Sequence, residues 1–126
     1  SNDLRLWKTE RRKTMKKSAS IFIEHNGKIR KQLDENGNPL NGIRVYAKDY
    51  DKGKKTLIRF RNGFLDGDLF DSKGNFVMQK PAVESEGHQE YWRKGKLHRD
   101  NGEPAVISEG FSVKEWWLNG ERQEHD

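Results

Sequence analysis

Cysteine is absent from this chain of 126 residues. The absence of thiols excludes a disulfide framework, a thiolate nucleophile and a cysteine-based zinc site. Apolar residues make up 31% of the chain, and even with the 12 glycines added the share stays below the roughly 45–50% of globular domains. No segment approaches the ~20 consecutive apolar residues of a membrane span, and none follows the basic start as in a signal peptide. We therefore predict a soluble, cytoplasmic, single domain with a small core.

The positive charge is concentrated in the first part of the chain. Lysine and arginine total 25 against 20 acidic residues, a net charge of +5. Residues 1–20 carry a net charge of +5 and residues 21–80 carry +4, whereas residues 81–126 carry −4. The basic character therefore belongs to the N-terminal arm and the half that follows it, and does not describe the whole surface.

Residues 1–19 are predicted to form a basic arm or a short helix. Leu4, Trp7 and Met15 lie at roughly helical spacing, but Arg11 interrupts their apolar stripe. Such an arm can neutralise backbone phosphates and stack a base on its tryptophan, although a solvated tail is an equally good interpretation. It lacks the large apolar face of a helix that lies on a membrane. The candidate nucleic-acid-binding residues are Trp7, Arg11, Arg12, Lys13, Lys16 and Lys17.

Short segments of β-branched and aromatic residues alternate with glycine turns throughout residues 20–126. Three Asn-Gly pairs, at residues 26–27, 62–63 and 119–120, separate such segments. Asn-Gly favours a type I′ hairpin turn, because both central residues need a positive φ. We predict that residues 20–126 form an all-β domain, an antiparallel meander of stacked β-hairpin repeats with about nine to eleven short strands and no helix.

An internal repeat supports this prediction. Residues 81–87 have the sequence PAVESEG and residues 104–110 have PAVISEG, with six of seven positions identical. An aromatic strand and a glycine turn follow each copy, so the clearest units span residues 81–103 and 104–126. A repeat of this length with one hairpin per unit is typical of units that stack on one another.

The second half of the chain resembles a known family. The segment YWRKGKLHRDNGEPAV, residues 91–106, resembles the MORN-variant repeats of bacterial and phage proteins, in which an aromatic strand, a glycine turn, a KLHR segment and a DGPA corner recur. The resemblance covers residues 81–126 and is weaker over residues 20–80. It departs from the pattern at Glu103 and over residues 121–125, as expected of a capping unit. The resemblance implies an elongated β-meander, and such bacterial proteins are often labelled antitoxins.

Two pairs of adjacent aromatic residues occupy matching places in the repeats. Adjacent residues of a strand face opposite sides of the sheet, so one ring of each pair is expected in the core and the other outside. Outward-facing tryptophan and tyrosine rings are typical of interface hot spots, although packing of all four rings is the simpler interpretation. The predicted partner-binding residues are Tyr91, Trp92, His98, Arg99, Trp116 and Trp117.

The segment His98-Arg99-Asp100 is a candidate for acid–base chemistry. A histidine that moves a proton, an arginine that binds phosphate and a carboxylate such as Glu90 suit metal-independent RNA cleavage. However, the second repeat has Arg-Gln-Glu in the equivalent place, so a structural hydrogen-bonding role for His98 is favoured.

Asp66 and Asp68 alternate within residues 64–70, which we predict as one strand. On a strand the two carboxylates share a face and have the spacing to hold a divalent cation, but an exposed acidic edge that discourages sheet pairing is favoured. The four histidines show no metal-ligating spacing, and no nucleotide- or cofactor-binding motif is present. We predict neither a metal nor a cofactor.

These features favour a non-enzymatic protein-interaction module. We predict a small bacterial or phage inhibitor or immunity protein, antitoxin-like, that binds and blocks another macromolecule such as a toxin, a nuclease or a host effector. The acidic part over residues 81–126 is suited to imitate phosphate in the basic cleft of a nuclease.

Two alternatives remain open. One is a small ribonuclease that uses His98 and Arg99. The other is a nucleic-acid-binding protein that combines the basic arm with the half over residues 21–61. Its cationic residues there would be Lys28, Arg30, Arg44, Lys48, Lys54, Lys55, Arg59 and Arg61.

Overall fold

The computed structural model of the protein describes residues 17–22, 27–47 and 54–124. Within these ranges all regular structure is β, the paired strands are antiparallel and no helix is present, as the sequence predicts. The strands are β1 (Gly42–Ala47), β2 (Lys55–Arg61), β3 (Phe64–Leu65), β4 (Asp68–Phe70), β5 (Phe76–Gln79), β6 (Val83–Ser85), β7 (His88–Glu90), β8 (Trp92–Arg93), β9 (Lys96–Leu97), β10 (Val106–Ser108), β11 (Val113–Leu118) and β12 (Glu121–Gln123). In this part of the chain no helix has the length and apolar character needed to cross a membrane.

One large antiparallel sheet organises the domain. Its strand order is β1-β2-β6-β7-β10-β11-β12, with β3 paired to β2, and the hairpins β4–β5 and β8–β9 form two small sheets of their own. The two copies of the internal repeat lie at the hairpins β6–β7 and β10–β11, which are neighbours in the large sheet. The Gly110 amide donates to the Gly87 carbonyl at 3.1 Å, so the two turns stack directly on one another.

Three tight turns confirm hairpin predictions within the described residues, whereas Asn26 of the predicted Asn26-Gly27 turn lies outside them. Asn62-Gly63, Lys94-Gly95 and Asn119-Gly120 each have two consecutive residues at positive φ, between 49° and 87°, as type I′ turns require. The Gly95 amide donates to the Leu65 carbonyl at 3.0 Å, and the Gly120 amide donates to the Leu97 carbonyl at 2.9 Å. The second and third turns are therefore each hydrogen-bonded to the chain just beyond the previous turn, which keeps these units in register.

A single row of side chains crosses the large sheet on its buried face. Residues directly opposite one another on paired strands share a face. The register places five of them in line, each at most 7% exposed: Ile58, Val83, Glu90, Val106 and Glu115. Aromatic residues two positions further along the chain extend the core: Phe60 in β2, Trp117 in β11 and Trp92 at the start of β8, just after β7 ends. The core of this protein therefore contains two glutamates in an otherwise apolar row.

The predicted strand over residues 64–70 is wrong. β3 ends at Leu65 and β4 begins at Asp68, with Asp66 and Gly67 between them. Asp66 and Asp68 are only 6% and 5% exposed, so they do not form the predicted solvated edge. The chain leaves the sheet because Gly67 bonds in two other directions: its amide donates to the Trp92 carbonyl at 3.1 Å, and its carbonyl accepts the Lys80 amide at 2.8 Å.

The region before β1 does not form the series of strands that the predicted meander requires. Residues 20–22 form a bend and a turn, and between residues 27 and 40 the pairing is limited to single bridges, Lys28 with Lys96 and Leu33 with Pro39. This segment instead crosses the stacked turns: the Ile29 amide donates to the Gly95 carbonyl at 2.8 Å. Its hydrogen bonds are satisfied by successive repeats, which removes the need for a partner strand of its own.

The close approach at Gly67 generates a testable prediction. A Cβ placed there would lie 1.8 Å from the Lys80 carbonyl oxygen, which belongs to backbone and cannot rotate away. We expect Gly67→Ala to lower the free energy of unfolding by about 3 kcal/mol or more. The control Gly74→Ala introduces a Cβ into open space at φ 84° and should cost only about 1–2 kcal/mol. Urea titrations of both variants measure the difference, and equal midpoints would contradict the assigned contact.

Candidate functional site

Residues 18–22, called the strap below, cross the buried row and bind its two glutamates. At the first, the Ser18 hydroxyl donates to Glu115 Oε1 and the Ala19 amide donates to Glu115 Oε2, both at 2.6 Å. The Trp117 indole donates to the same Oε1 at 3.0 Å. Both oxygens of this buried carboxylate therefore accept hydrogen bonds, which offsets the cost of removing it from water.

The strap repeats the arrangement two residues later. The Ser20 hydroxyl donates to Glu90 Oε1 at 2.7 Å, and the Ile21 amide donates to Glu90 Oε2 at 2.8 Å. The Trp92 indole donates to Oε1 at 2.9 Å, and His88 Nε2 lies 2.6 Å from Oε2. Glu90 is completely buried. It is thus a structural residue, and its oxygens are not free for the chemistry considered from the sequence.

Sequence reasoning missed this pair of contacts. Two signals were present: a glutamate two positions before a tryptophan in both repeats, and Ser-x-Ser at residues 18–20. Glu115 and Trp117 lie two apart on β11 and share a face, which explains why this indole reaches its own glutamate. The Trp92 indole reaches Glu90 from the start of β8, just beyond the end of β7. The assignment of residues 1–19 to an arm separated Ser18 from the domain that it contacts.

The predicted aromatic residues lie mostly inside the protein. Trp92 has no exposed surface, Trp117 is 4% exposed and Tyr91 is 7% exposed. Trp116 is half-buried, and its indole donates to the Gly102 carbonyl at 2.9 Å. The Arg99 guanidinium covers the Tyr91 ring, 3.8 Å from its centroid. Of the six predicted partner-binding residues, Trp116 and Arg99 thus keep substantial surface, and both line a small cleft of about 180 Å³.

His98 has a structural environment. Its side chain is 7% exposed, and its Nδ1 accepts the Asn119 amide at 3.0 Å. Since Nδ1 accepts, the ring proton is placed on Nε2, which lies 2.8 Å from Asp100 Oδ1. Hydrogen bonds from His98 and from Arg93 hold the pKa of Asp100 below its usual value. His98 and Glu90 share no hydrogen bond, and both Glu90 oxygens are already bound within the core.

Two arginines are held by the buried aspartates. Arg93 Nε donates to Asp68 Oδ2 at 2.6 Å, and Arg61 Nη1 donates to Asp66 Oδ1 at 3.1 Å. Burial raises the pKa of Asp66, against the opposing effects of backbone hydrogen bonds and of Arg61. The carboxylates predicted as an exposed edge therefore fix two guanidinium groups in place.

The same two arginines lie against exposed phenylalanines on the hairpin β4–β5. Arg61 is 4.8 Å from the Phe70 ring centroid, and Arg93 is 5.7 Å from the Phe76 ring centroid. The two rings are 6.0 Å apart, edge to face at 74°, and are 48% and 51% exposed. We call these four residues the Phe–Arg surface. Neither phenylalanine was singled out from the sequence, because the residue pattern of a strand does not show which face of the strand remains exposed.

The residues of the nucleic-acid alternative fall into three groups. Lys17 is described and exposed, whereas the other arm residues and Lys48 lie outside the described ranges. Arg59 forms an ion pair with Glu84, and Arg61 forms one with Asp66. The remaining basic residues of this half are exposed: Lys28, Arg30, Arg44, Lys54 and Lys55.

We compared the chain with models of protein families, with curated proteins and with solved structures, and none of them matches it. The resemblance to MORN-variant repeats remains a prediction.

The strap should contribute measurably to stability. Ser20→Ala removes one donor from the fully buried Glu90, and we expect the free energy of unfolding to fall by about 1–3 kcal/mol. Ser112→Ala, at an exposed turn where the hydroxyl donates to the Glu109 carbonyl, should change it by less than about 0.5 kcal/mol. Chemical denaturation of both variants tests this, and indistinguishable stabilities would contradict the role of the strap.

The Asp100 contacts predict a pH dependence. Because folding lowers the pKa of this carboxyl, it stabilises the fold above its ordinary pKa of 3.8, and the stabilisation is lost as the pH falls through the folded-state value. Asp100→Asn should therefore be less stable than wild type near neutral pH, and the difference should shrink in acid. Thermal unfolding across this range measures it, with the exposed Glu86→Gln as a control. A pH-independent difference would exclude the proposed linkage.

Proposed function

We propose that this chain is a cytoplasmic protein-interaction module of the inhibitor or immunity type, which binds another protein and blocks it. The observation that carries the proposal is the Phe–Arg surface. In a chain with 31% apolar residues, two phenylalanines of one hairpin are about half exposed, side by side. Val77 and Met78 add further exposed apolar area on the same hairpin, at 59% and 46% exposed.

The composition and rigidity of this surface support binding. Aromatic residues and arginine are enriched at the energetic centres of protein interfaces. Each arginine is fixed by a buried aspartate, and each ring lies against a guanidinium, so little side-chain freedom remains to be lost when a partner binds. Preorganised aromatic and guanidinium groups suit a tight, shape-specific contact.

The charge distribution supports selective encounter. The strand order places the basic first half at the β1–β2 end of the sheet and the acidic second half at the β10–β12 end. Such a gradient orients an approaching partner and raises the association rate. An acidic end of this kind is suited to the basic cleft of a nuclease, which would be one class of target.

The test uses a partner with defined identity. Purified products of genes adjacent to the gene for this chain are titrated against wild type and Phe70→Ser/Phe76→Ser by calorimetry. We expect loss of about 100-fold or more in affinity, since each ring is placed as a hot-spot residue of roughly 2 kcal/mol. Phe111→Ser, a matched loss of a phenylalanine that is 58% exposed, should leave binding unchanged.

Two results would contradict the proposal. One is unaltered affinity of the double variant for a confirmed partner, and the other is absence of any protein partner at micromolar concentration. Salt-sensitive binding of single-stranded RNA that is lost on deletion of residues 1–17 would instead favour the nucleic-acid alternative. That deletion stops before Ser18, so the contacts of the strap with Glu115 and Glu90 are retained.

A further inference from the structure

Strand β1 forms an open edge of the large sheet. Among the described residues it pairs only with β2, and the pairing runs without a bulge from Gly42↔Phe60 to Ala47↔Lys55. All six of its residues are exposed. In an antiparallel edge strand, alternate residues direct their amide and carbonyl groups away from the sheet. Edges are usually protected by charged residues, proline or a bulge; β1 has one charged residue, Arg44, and no lysine, proline or bulge.

The two faces of β1 differ in chemistry. Ile43 and Val45 lie on one face and are 57% and 58% exposed. Arg44 and Tyr46 lie on the other, and Arg44 is directly opposite Ile58, at the end of the buried row. A strand added beside β1 would therefore place alternate side chains against an apolar face and against a guanidinium and a phenol.

An apolar cleft lies beside the Arg44–Tyr46 face. Its volume is about 370 Å³, and its lining includes Tyr46, Ile58, Phe60 and Leu40. The residues of β2 in the lining alternate along the strand, which places the cleft on the core side of the sheet. The cleft therefore leaves open space beside Arg44 for the side chains of an added strand on this side.

The charge around β1 selects the occupant. The described residues between 27 and 61 include eight basic and two acidic side chains, and three of the basic ones are paired with acidic residues from elsewhere in the chain: Lys28 with Glu121, Arg59 with Glu84 and Arg61 with Asp66. The basic ones are Lys28, Arg30, Lys31, Arg44, Lys54, Lys55, Arg59 and Arg61, and the acidic ones are Asp34 and Glu35. Residues 1–17 of this chain carry seven basic and two acidic side chains, so like charge disfavours them at this edge. Complementarity requires an acidic segment from another molecule.

We propose that the open edge of β1 binds an extended acidic segment of another protein by strand addition, with acidic residues alternating with apolar ones. The acidic residues face Arg44 on one side of the strand, and the apolar residues cover Ile43 and Val45 on the other. The main-chain groups of the segment complete the ladder of the edge strand, and the alternation gives the specificity. This site does not depend on the Phe–Arg surface, so either proposal can fail alone.

The first experiment uses a fluorescein-labelled peptide of alternating glutamate and valine, with the length of β1, and measures anisotropy against the full chain. We expect saturable binding, and at least tenfold weaker binding of the corresponding lysine–valine peptide. A peptide with alternate main-chain amides methylated on the face of the ladder should not bind. Equal binding of the methylated peptide, or of one with its glutamates and valines in separate blocks, would overturn strand addition.

The second experiment locates the site on β1. Arg44→Glu should lower the affinity for the glutamate–valine peptide by about tenfold or more. Lys73→Glu makes the same change of charge at an exposed turn of the β4–β5 hairpin and should have no effect. Ile43→Thr/Val45→Thr should also weaken binding, whereas Phe70→Ser/Phe76→Ser should not. All of these positions are exposed, and thermal unfolding verifies that each variant is folded.

A second copy of this chain is the competing occupant, because its β10–β12 end is acidic. Sedimentation velocity over a range of concentrations distinguishes the two. We expect the protein to be a monomer both with and without the peptide. Concentration-dependent association that Arg44→Glu abolishes would overturn the proposal by making the second copy the ligand of β1.

Discussion

The fold depends on two glutamate carboxylates inside an apolar row. A buried carboxylate is costly unless hydrogen bonds replace the water that it loses, and neither Glu90 nor Glu115 obtains enough of them from its own repeat. The strap supplies the remainder, one serine hydroxyl and one backbone amide to each. Residues 18–21 are thereby joined to the last two repeats, some 70 to 97 positions away in sequence. The interaction orders the start of the domain and covers the core at once.

This arrangement suits a chain with little apolar material. Because a polar segment covers part of the row, the core needs only a limited set of large side chains, centred on Trp92, Trp117 and Leu97. The remaining apolar residues are then available at the surface, on β1 and on the β4–β5 hairpin. Two buried aspartates perform a related task at that hairpin, where they position the arginines of the Phe–Arg surface. The buried glutamates thus hold the strap over the core, and the buried aspartates hold the two arginines of the Phe–Arg surface. Neither set of contacts includes a hydrogen bond between His98 and Glu90.

Local features were predictable and long-range ones were not. The turns Asn62-Gly63 and Asn119-Gly120 follow from the backbone preferences of two adjacent residues, so the hairpins and the all-β class were predicted correctly. The break at Gly67 arises from hydrogen bonds to Trp92 and Lys80, partners that no local pattern identifies. The aromatic pairs were located correctly in the sequence, while the burial of Tyr91 beneath Arg99 depends on how the chain between these two residues folds back within one unit.

The sequence by itself determined the all-β class, the tight turns, the repeat over residues 81–110 and the charge gradient, because each depends on neighbouring residues or on composition. Only the tertiary structure decided that Ser18 and Ser20 bind the buried glutamates, that Asp66 and Asp68 are buried, and that no described residue covers β1 or the Phe70–Phe76 pair. These outcomes depend on which segment crosses which face of the sheet. Contacts between segments that are distant in sequence set that path. The alternation of apolar and polar residues along one strand does not indicate which of these contacts will form.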